Sequence, residues 1–311
     1  MYTYTLTDVL LRFNEEKLHV PFKKLAKLIF YCFMFKTSFM NSCLGFTILR
    51  SFGATHFPLH SNQKCRKVIF GFCRFKMADD TVPACDTLSH HVIPTERVGA
   101  LNVWVQGDLS LAQKQESRDS YCTFLTVHDV GVNHNAWLRF INSPAMAQIR
   151  EKAVFLHVDL MGQEDQAEDV TKDYPSMQEI GEDLVNVLDT LRVKCVIGLG
   201  EGAGANILLR FGAMHVTRCL GIICINPNPN PQSLLGGIMD KVLKMRIGDK
   251  PMTAEQKQMN QKNVQKLMDA FEARSDVTPI IEKSLKCECM LLAGAKAEMH
   301  VKGLDAIFGF W

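Results

Sequence analysis

A run of alternating glycines near the middle of the chain leaves few folds open to this sequence. A short apolar stretch at 195–197 leads into GLGEGAG at 198–204, and NILL at 206–209 opens a helical segment. Glycines at a strand-to-helix junction permit a sharp turn and a close approach of two backbone segments, because they carry no Cβ. The run therefore predicts a buried strand, a tight turn and a helix in immediate succession.

Apolar segments on both sides of this run alternate with helical ones. The predicted strands cover residues 91–98, 101–105, 123–127, 153–158, 195–197, 220–225 and 289–292. Ser176 and Glu179 have the spacing of a capping box, and apolar residues follow at helical intervals between 184 and 191. Strands separated by helices favour an α/β fold, with a mainly parallel sheet that is covered on both faces.

The glycine run has two possible chemical interpretations. A dinucleotide site needs such glycines after the first strand of its unit, with an acidic residue about 20 positions later. Here at least three predicted strands come first, and the next strand ends in Ile225 and Asn226, so a dinucleotide site is disfavoured. The nucleophile elbow of an α/β-hydrolase, G-x-S-x-G, fits better, with Gly198 and Gly202 at the bracketing positions.

The elbow predicted from this pattern lacks its nucleophile. Gly200 stands at the central position and Glu201 follows it, so we expect the shape of the turn without its chemistry. The residues after the third strand, where this fold has its oxyanion loop, are His128, Asp129, Val130 and Gly131. Their amides are candidates for an anion site beside the amide of Glu201. Alternatively, His128 and Asp129 only satisfy hydrogen bonds of the loop.

The other triad positions are also degenerate. Residues 294–297, where the acid commonly follows its strand, contain no carboxylate, and Glu298 comes one position late. His300 is too close to that position to be a convincing base. The chain stops at Trp311, before another strand and helix. We therefore predict no catalytic residues, a missing last strand and helix, and an uncovered edge at strand 289–292.

The amino-terminal segment differs in composition from the rest of the chain. Residues 1–76 carry 12 Lys and Arg against three acidic residues, and 12 of the 19 Phe, although the whole chain is nearly neutral at +2. The apolar run at 28–35 is too short to span a bilayer, which takes about 20 residues. We expect a poorly ordered basic extension at 1–76 and the folded domain at 77–311, with Met77 as a plausible alternative start. The rival hypothesis is a membrane-surface segment.

The eleven cysteines form no recognisable framework. Their number is odd and no C-x-x-C occurs; the nearest pair, Cys287 and Cys289, is expected to consist of buried thiols. We predict no metal and no cofactor, and this cysteine usage favours a reducing, intracellular setting. The balanced charge of the chain gives no reason to expect a nucleic-acid partner.

Several segments together resemble the N-myc downstream-regulated (Ndr) family. They are VHDVGVNH at 127–134, HVD at 157–159, YPSM at 174–177, VIGLGEGAGA at 196–205 and NPN at 226–228. The similarity runs from about residue 90 to about 298, and the elbow together with the loop that contains His128 makes it specific. Residues 1–76 have no recognised counterpart in the family.

The resemblance implies an α/β-hydrolase fold without hydrolase activity, in a cytoplasmic protein linked to signal transduction, differentiation and stress responses. Such proteins act through protein or lipid contacts, so we expect protein partners, with a lipid surface as another possibility. Residues 231–284 lie where this fold inserts a helical cap, with predicted helices at 234–243 and 264–271. Two alternatives remain open: an esterase-like hydrolase with an unrecognised nucleophile, and a membrane-surface protein that uses the basic amino-terminal segment.

Overall fold

The computed structural model describes residues 46–51, 87–114, 121–228 and 258–294. Within these residues eight strands form one sheet in the order β1-β8-β7-β6-β4-β5-β3-β2. The strands are β1 (Phe46–Ser51), β2 (Leu88–Pro94), β3 (Ala100–Gln106), β4 (Cys122–Val127), β5 (Ala153–Asp159), β6 (Val196–Glu201), β7 (Cys219–Ile225) and β8 (Glu288–Gly294). The helices are α1 (Leu109–Gln113), α2 (His134–Ile141), α3 (Ala147–Arg150), α4 (Met177–Thr190), α5 (Ala203–Met214), α6 (Gln261–Glu272) and α7 (Thr278–Ser284).

The centre of the sheet is parallel, and its edges are antiparallel. Strands β4 to β8 pair in parallel with one another, whereas β2 with β3, β3 with β5, and β1 with β8 pair antiparallel. Every residue of β5 is buried, as expected for a central strand with helices on both faces. The predicted mainly parallel α/β sheet is confirmed.

The edge expected at strand 289–292 is not uncovered, so that prediction is wrong. Strand β1, which comes from the amino-terminal segment, pairs antiparallel with β8 from Phe46 opposite Gly294 to Ser51 opposite Cys289. The main-chain groups on the side of β8 that faces away from β7 thereby gain hydrogen-bonding partners. Such pairing removes an exposed edge to which another chain could add a strand. The boundary at residue 77 stays an expectation, since residues 52–86 lie outside the described part.

Two hydrophobic clusters pack on opposite faces of the sheet. Alternate side chains of β7 show the division: Ile222 and Cys224 belong to the cluster under α4 and α5, whereas Ile223 and Ile225 belong to the cluster under α2. This is the two-residue period of a strand whose faces are both buried. The sheet is thus held between two helical layers, and its strand ends carry the loops that form the site.

The capping box predicted before α4 is present. The Glu179 amide donates to Ser176 Oγ at 3.2 Å, and the Ser176 amide donates to Glu179 Oε2 at 2.8 Å. Helix α6 contains the helix predicted at 264–271, and the one predicted at 234–243 lies outside the described residues. Within the described parts of the chain, none of the helices combines the length and apolar character needed to cross a bilayer.

Candidate functional site

The sharp turn of the elbow lies at Gly202. Strand β6 ends at Glu201 and α5 begins at Ala203, so Gly202 is the single residue between them, with φ 53° and ψ −113°. A positive φ of this kind is easily adopted only by glycine. In a nucleophile elbow the reactive residue occupies the strained strand-to-helix turn. The backbone therefore places the nucleophile position at Gly202, two residues after the predicted Gly200.

Gly200 has a different role, in the packing of α5 against β6. It lies within β6 and pairs with Val127 on one side and Cys224 on the other. A Cβ added there would lie 2.7 Å from both the Ala205 nitrogen and the Gly204 carbonyl carbon, which are backbone atoms of α5. The G-x-G-x-G pattern fits the frame 198–202 and the frame 200–204 equally well, and only the turn distinguishes them. Both frames have glycine at the centre.

The Asp129 carboxylate occupies the space beside this turn. Its Oδ1 accepts the Val130 amide at 2.8 Å and the Ala203 amide at 2.9 Å. In α/β-hydrolases the oxyanion hole consists of the amide after the nucleophile and an amide from the loop after the third strand. Ala203 and Val130 hold those two positions here. The second amide is thus that of Ala203, not that of Glu201 as predicted.

The same carboxylate fills the place of a side chain at the turn. A Cβ built on Gly202 would overlap the carboxylate atoms of Asp129. The position of the carboxylate therefore requires a residue without a Cβ at 202. Asp129 does more than satisfy its own loop, since its bond to Ala203 joins the loop after β4 to the start of α5.

His128 is a fixed, neutral support of the loop. Its Nε2 accepts the Leu160 amide at 3.0 Å, and its Nδ1 lies 2.7 Å from the Asp129 carbonyl oxygen. An acceptor at Nε2 requires the proton on Nδ1, which therefore donates to that carbonyl. Burial lowers the pKa of His128, because the charged imidazolium would lose its hydration. Both ring nitrogens are thus engaged.

The remaining predicted residues divide between the site and its surroundings. Gly131 has φ 74°, and a Cβ there would lie 4.0 Å from Val264 of α6, so this helix covers the loop. Glu201 is half-buried and pairs with Ile225 at the end of the parallel ladder. Gly198 lies within β6, away from the turn. Glu298 and His300 are outside the described residues.

A buried carboxylate that the sequence did not single out lies near this loop. Asp159, at the end of β5, is 1% exposed and accepts the His134 amide at 2.6 Å, His134 Nδ1 at 2.6 Å and Trp104 Nε1 at 3.2 Å. The Trp104 ring stacks between His90 and His134, with both centroid separations 4.4 Å. His128 Nε2 is 4.0 Å from Asp159 Oδ1. An acidic residue at the end of a mainly apolar strand was the available signal.

A second buried chain of polar groups crosses β4, β5 and β3. His157 Nδ1 lies 2.7 Å from Thr126 Oγ1, and His157 Nε2 lies 3.1 Å from Gln106 Oε1. Gln106 Nε2 in turn donates to Asn142 Oδ1 at 2.7 Å. Burial lowers the pKa of His157 to about 3, so the ring is neutral near pH 7. In the described ranges, no group of three or more potential ligands is arranged to hold a metal ion.

Comparison with known sequences places the chain among relatives of one family. A sequence model of the Ndr family matches residues 90–259. The chain is 35% identical to "Uncharacterized protein ZK1073.1" of Caenorhabditis elegans over 237 residues, which cover 68% of this chain and 71% of that protein. It is 27% identical to Protein NDRG3 of Xenopus tropicalis, with 60% and 57% covered. It is 30% identical to Protein NDRG1-A of Xenopus laevis, with 55% and 51% covered.

A solved structure supports the architecture. A carboxylesterase from the ammonia-oxidizing thaumarchaeon Nitrososphaera gargenis matches with a TM-score of 0.54 and 14% identity, over 70% of this chain and 86% of that one. At this identity the likeness concerns the fold alone, which is that of the α/β-hydrolases. In the sequence comparison, the chain spans only about half the length of the two Xenopus relatives. With more than half of its residues covered by the family model, the chain belongs to the Ndr family.

Proposed function

We propose that this protein is a non-catalytic member of the α/β-hydrolase fold. Its elbow has a structural role, because it connects the loop after β4 to the start of α5. The observation that carries the proposal is the Asp129 carboxylate, which accepts both the Val130 and the Ala203 amide beside a glycine at the nucleophile position. A hydrolase needs those amides free to receive the oxygen on which negative charge develops. Here an anionic side chain already holds them.

Two independent physical reasons oppose acyl transfer at this turn. Gly202 has no side chain, so there is no hydroxyl or thiol to attack a carbonyl carbon. A substrate oxygen that entered the amide pair would also have to displace Asp129 and then carry its developing charge next to a displaced carboxylate. Asp129 is partly exposed, and like charges in contact at such a site still repel each other. The displaced Asp129 carboxylate would therefore oppose the stabilisation that the two amides give in a hydrolase.

For the biological role we infer contacts with proteins, in signal transduction, differentiation or stress responses, within the cytoplasm. Family membership supports this inference, and the charge balance of the chain gives no support to a nucleic-acid partner. The chain covers about half the length of the Xenopus relatives, so protein partners of the whole protein are proposed here by family membership alone. A contact with anionic lipid through the basic residues of 1–76 is the competing role.

Catalysis is tested with short-chain p-nitrophenyl esters and a serine-directed fluorophosphonate. We expect no turnover above a heat-inactivated sample and no labelling, with an active esterase as positive control. Asp129→Asn is the informative variant, because Asp129 is the carboxylate at the nucleophile's place. Saturable hydrolysis by the parent that is lost in Asp129→Asn would identify an unrecognised nucleophile and refute the proposal.

The two contact roles are separated by sedimentation with vesicles. The full chain is mixed with neutral and with anionic phospholipid vesicles at low and at high salt. If the protein binds only to other proteins, we expect it to stay in the supernatant in all four mixtures. Sedimentation with anionic vesicles at low salt, lost at high salt, would instead favour the membrane-surface role, because attraction to lipid headgroups is screened by salt.

A further inference from the structure

Three thiols meet at the amino ends of two neighbouring strands, whereas the elbow lies at the carboxyl end of β6. Cys219 begins β7, and Cys287 directly precedes β8, in which Cys289 is the second residue. The Sγ atoms of Cys219 and Cys287 lie 3.8 Å apart. Cys289 is also within hydrogen-bonding reach of Cys287. The packing of a strand pair thus brings together thiols that are far apart in the sequence.

The backbone geometry suits a bond between two of these thiols. Strands β7 and β8 are paired in parallel from Gly221 opposite Glu288, so Cys219 and Cys287 lie just before the first paired residues. Neighbouring strands are about 4.8 Å apart, and a disulfide needs Cα atoms about 4.4–6.8 Å apart. Cys287 and Cys289, by contrast, are two residues apart in one extended segment, at the upper limit of that range.

The three thiols differ in accessibility. Cys287 is half-buried, whereas Cys219 and Cys289 are 4% and 2% exposed. Cys219 packs under α5, where a Cβ added at Gly212 would lie 3.4 Å from its Sγ. Hydrogen bonds with its two neighbours lower the pKa of the Cys287 thiol and raise theirs, which favours Cys287 as the thiolate of the cluster. An oxidant from solvent therefore meets Cys287 first.

We propose that Cys219 and Cys287 are a peroxide-sensitive thiol pair that closes to a disulfide across the amino ends of β7 and β8. The Cys287 thiolate attacks one oxygen of hydrogen peroxide and becomes a sulfenic acid, and the other oxygen leaves as hydroxide, which takes up a proton to give water. The Cys219 sulfur then attacks the Cys287 sulfur, the S–O bond breaks, and a second water departs. Two thiols are oxidised to one disulfide and one peroxide is reduced to two waters.

The test is a peptide map of the intact, folded protein after mild hydrogen peroxide, with free thiols blocked by N-ethylmaleimide before digestion. Trypsin releases residues 219–241 and 287–296 as two peptides, each with two cysteines. We expect these peptides joined, with dithiothreitol separating them. The joined species should persist in Cys224→Ser and Cys289→Ser and disappear in Cys219→Ser and Cys287→Ser.

Cys219→Ser provides a second readout that does not depend on the disulfide. Without its partner thiol, Cys287 should accumulate as a sulfenic acid that dimedone traps. Cys122 and Cys195, which are also half-buried, serve as matched comparisons in the same digest. The proposal is overturned if Cys122 or Cys195 is oxidised before Cys287, or if Cys287 of the parent proceeds to sulfinic acid without joining Cys219.

Discussion

The elbow and one flank of the sheet are both closely packed, but by opposite means. At the elbow, glycines bring β6, α5 and the loop after β4 together, and one carboxylate satisfies the amides that the turn leaves over. In the flank made by β3, β5 and α2, space is filled by large polar side chains, among them Trp104, His134 and His157. The packing of the elbow depends on the absence of Cβ atoms, and the packing of the flank depends on the presence of large side chains.

The difference concerns which changes each region tolerates. An added Cβ at Gly200 or Gly204 meets backbone atoms, which cannot move aside as a flexible side chain does. A removed group in the flank leaves a buried donor or acceptor without its partner, at the full cost of its lost hydration. We therefore expect the elbow to be damaged by additions and the flank by deletions.

The largest effect is expected at Gly204. A Cβ at this position would overlap the Val127 carbonyl, so Gly204→Ala should lower the free energy of unfolding by about 4 kcal/mol or more. Gly198→Ala is the matched control, since its nearest neighbours are the Leu208 methyls at 3.3 and 3.4 Å, and it should cost no more than about 1 kcal/mol. Urea unfolding followed by circular dichroism measures both. Equal costs for the two changes would show that α5 adjusts freely.

The next effect is the deletion of the buried carboxylate of the flank. Asp159→Ala removes the acceptor for the His134 amide, His134 Nδ1 and Trp104 Nε1, and should cost about 3 kcal/mol. Asp169, an exposed acid paired with Lys262 at 2.6 Å, is the control, and Asp169→Ala should leave the unfolding midpoint nearly unchanged. If both variants unfold at the same urea concentration as the parent, the flank does not depend on its polar side chains.

The third expectation concerns acid. The imidazole of His157 has a pKa of about 3 in the folded protein against 6.5 for the free side chain, so the unfolded chain binds a proton first. This contribution to stability is fully present above pH 6.5 and is lost as the pH falls towards 3, by about 1.4 kcal/mol per pH unit. His128, with a pKa lowered in the same direction, adds to the slope.

His157→Gln isolates the contribution of this single histidine. Unfolding of the parent and the variant at pH 8 gives the cost of the substitution while the ring is neutral. Between pH 6 and 5 the parent should then lose about 1.4 kcal/mol more than the variant. Parallel pH profiles for the two proteins would mean that His157 takes up its proton in the folded state as readily as in the unfolded one.

The smallest expected effect is the deletion of a side chain at the elbow. Asp129→Ala removes the acceptor for the Val130 amide and for the Ala203 amide at the start of α5, and should cost about 1 kcal/mol, as at other helix starts. Asp129→Asn keeps an acceptor oxygen and should cost less. Thermal melts suffice to rank the two. A loss for Asp129→Ala as large as that for Gly204→Ala would contradict the contrast between the two regions.

Much of the fold was predictable because its signals are local. The capping box of α4 depends on Ser176 and Glu179, which are three positions apart. The apolar runs of β4 and β5 are typical of buried strands. Strand β1 was not predicted, because its segment has no sustained alternation and its stability comes from pairing with β8. The partners of His157 were equally invisible, since Thr126 and Gln106 lie 31 and 51 positions away.

By itself the sequence determined the α/β class, the elbow-like run of glycines, the lack of a nucleophile within it and the resemblance to the Ndr family. These properties depend on residue types and on spacings of a few positions. Only the tertiary structure decided that Gly202 is the turn residue and that the Asp129 carboxylate holds the Ala203 amide, 74 positions away. The reason is that a repeating G-x-G pattern has no unique frame, and contacts between loops at different strand ends are set by the order and register of the sheet.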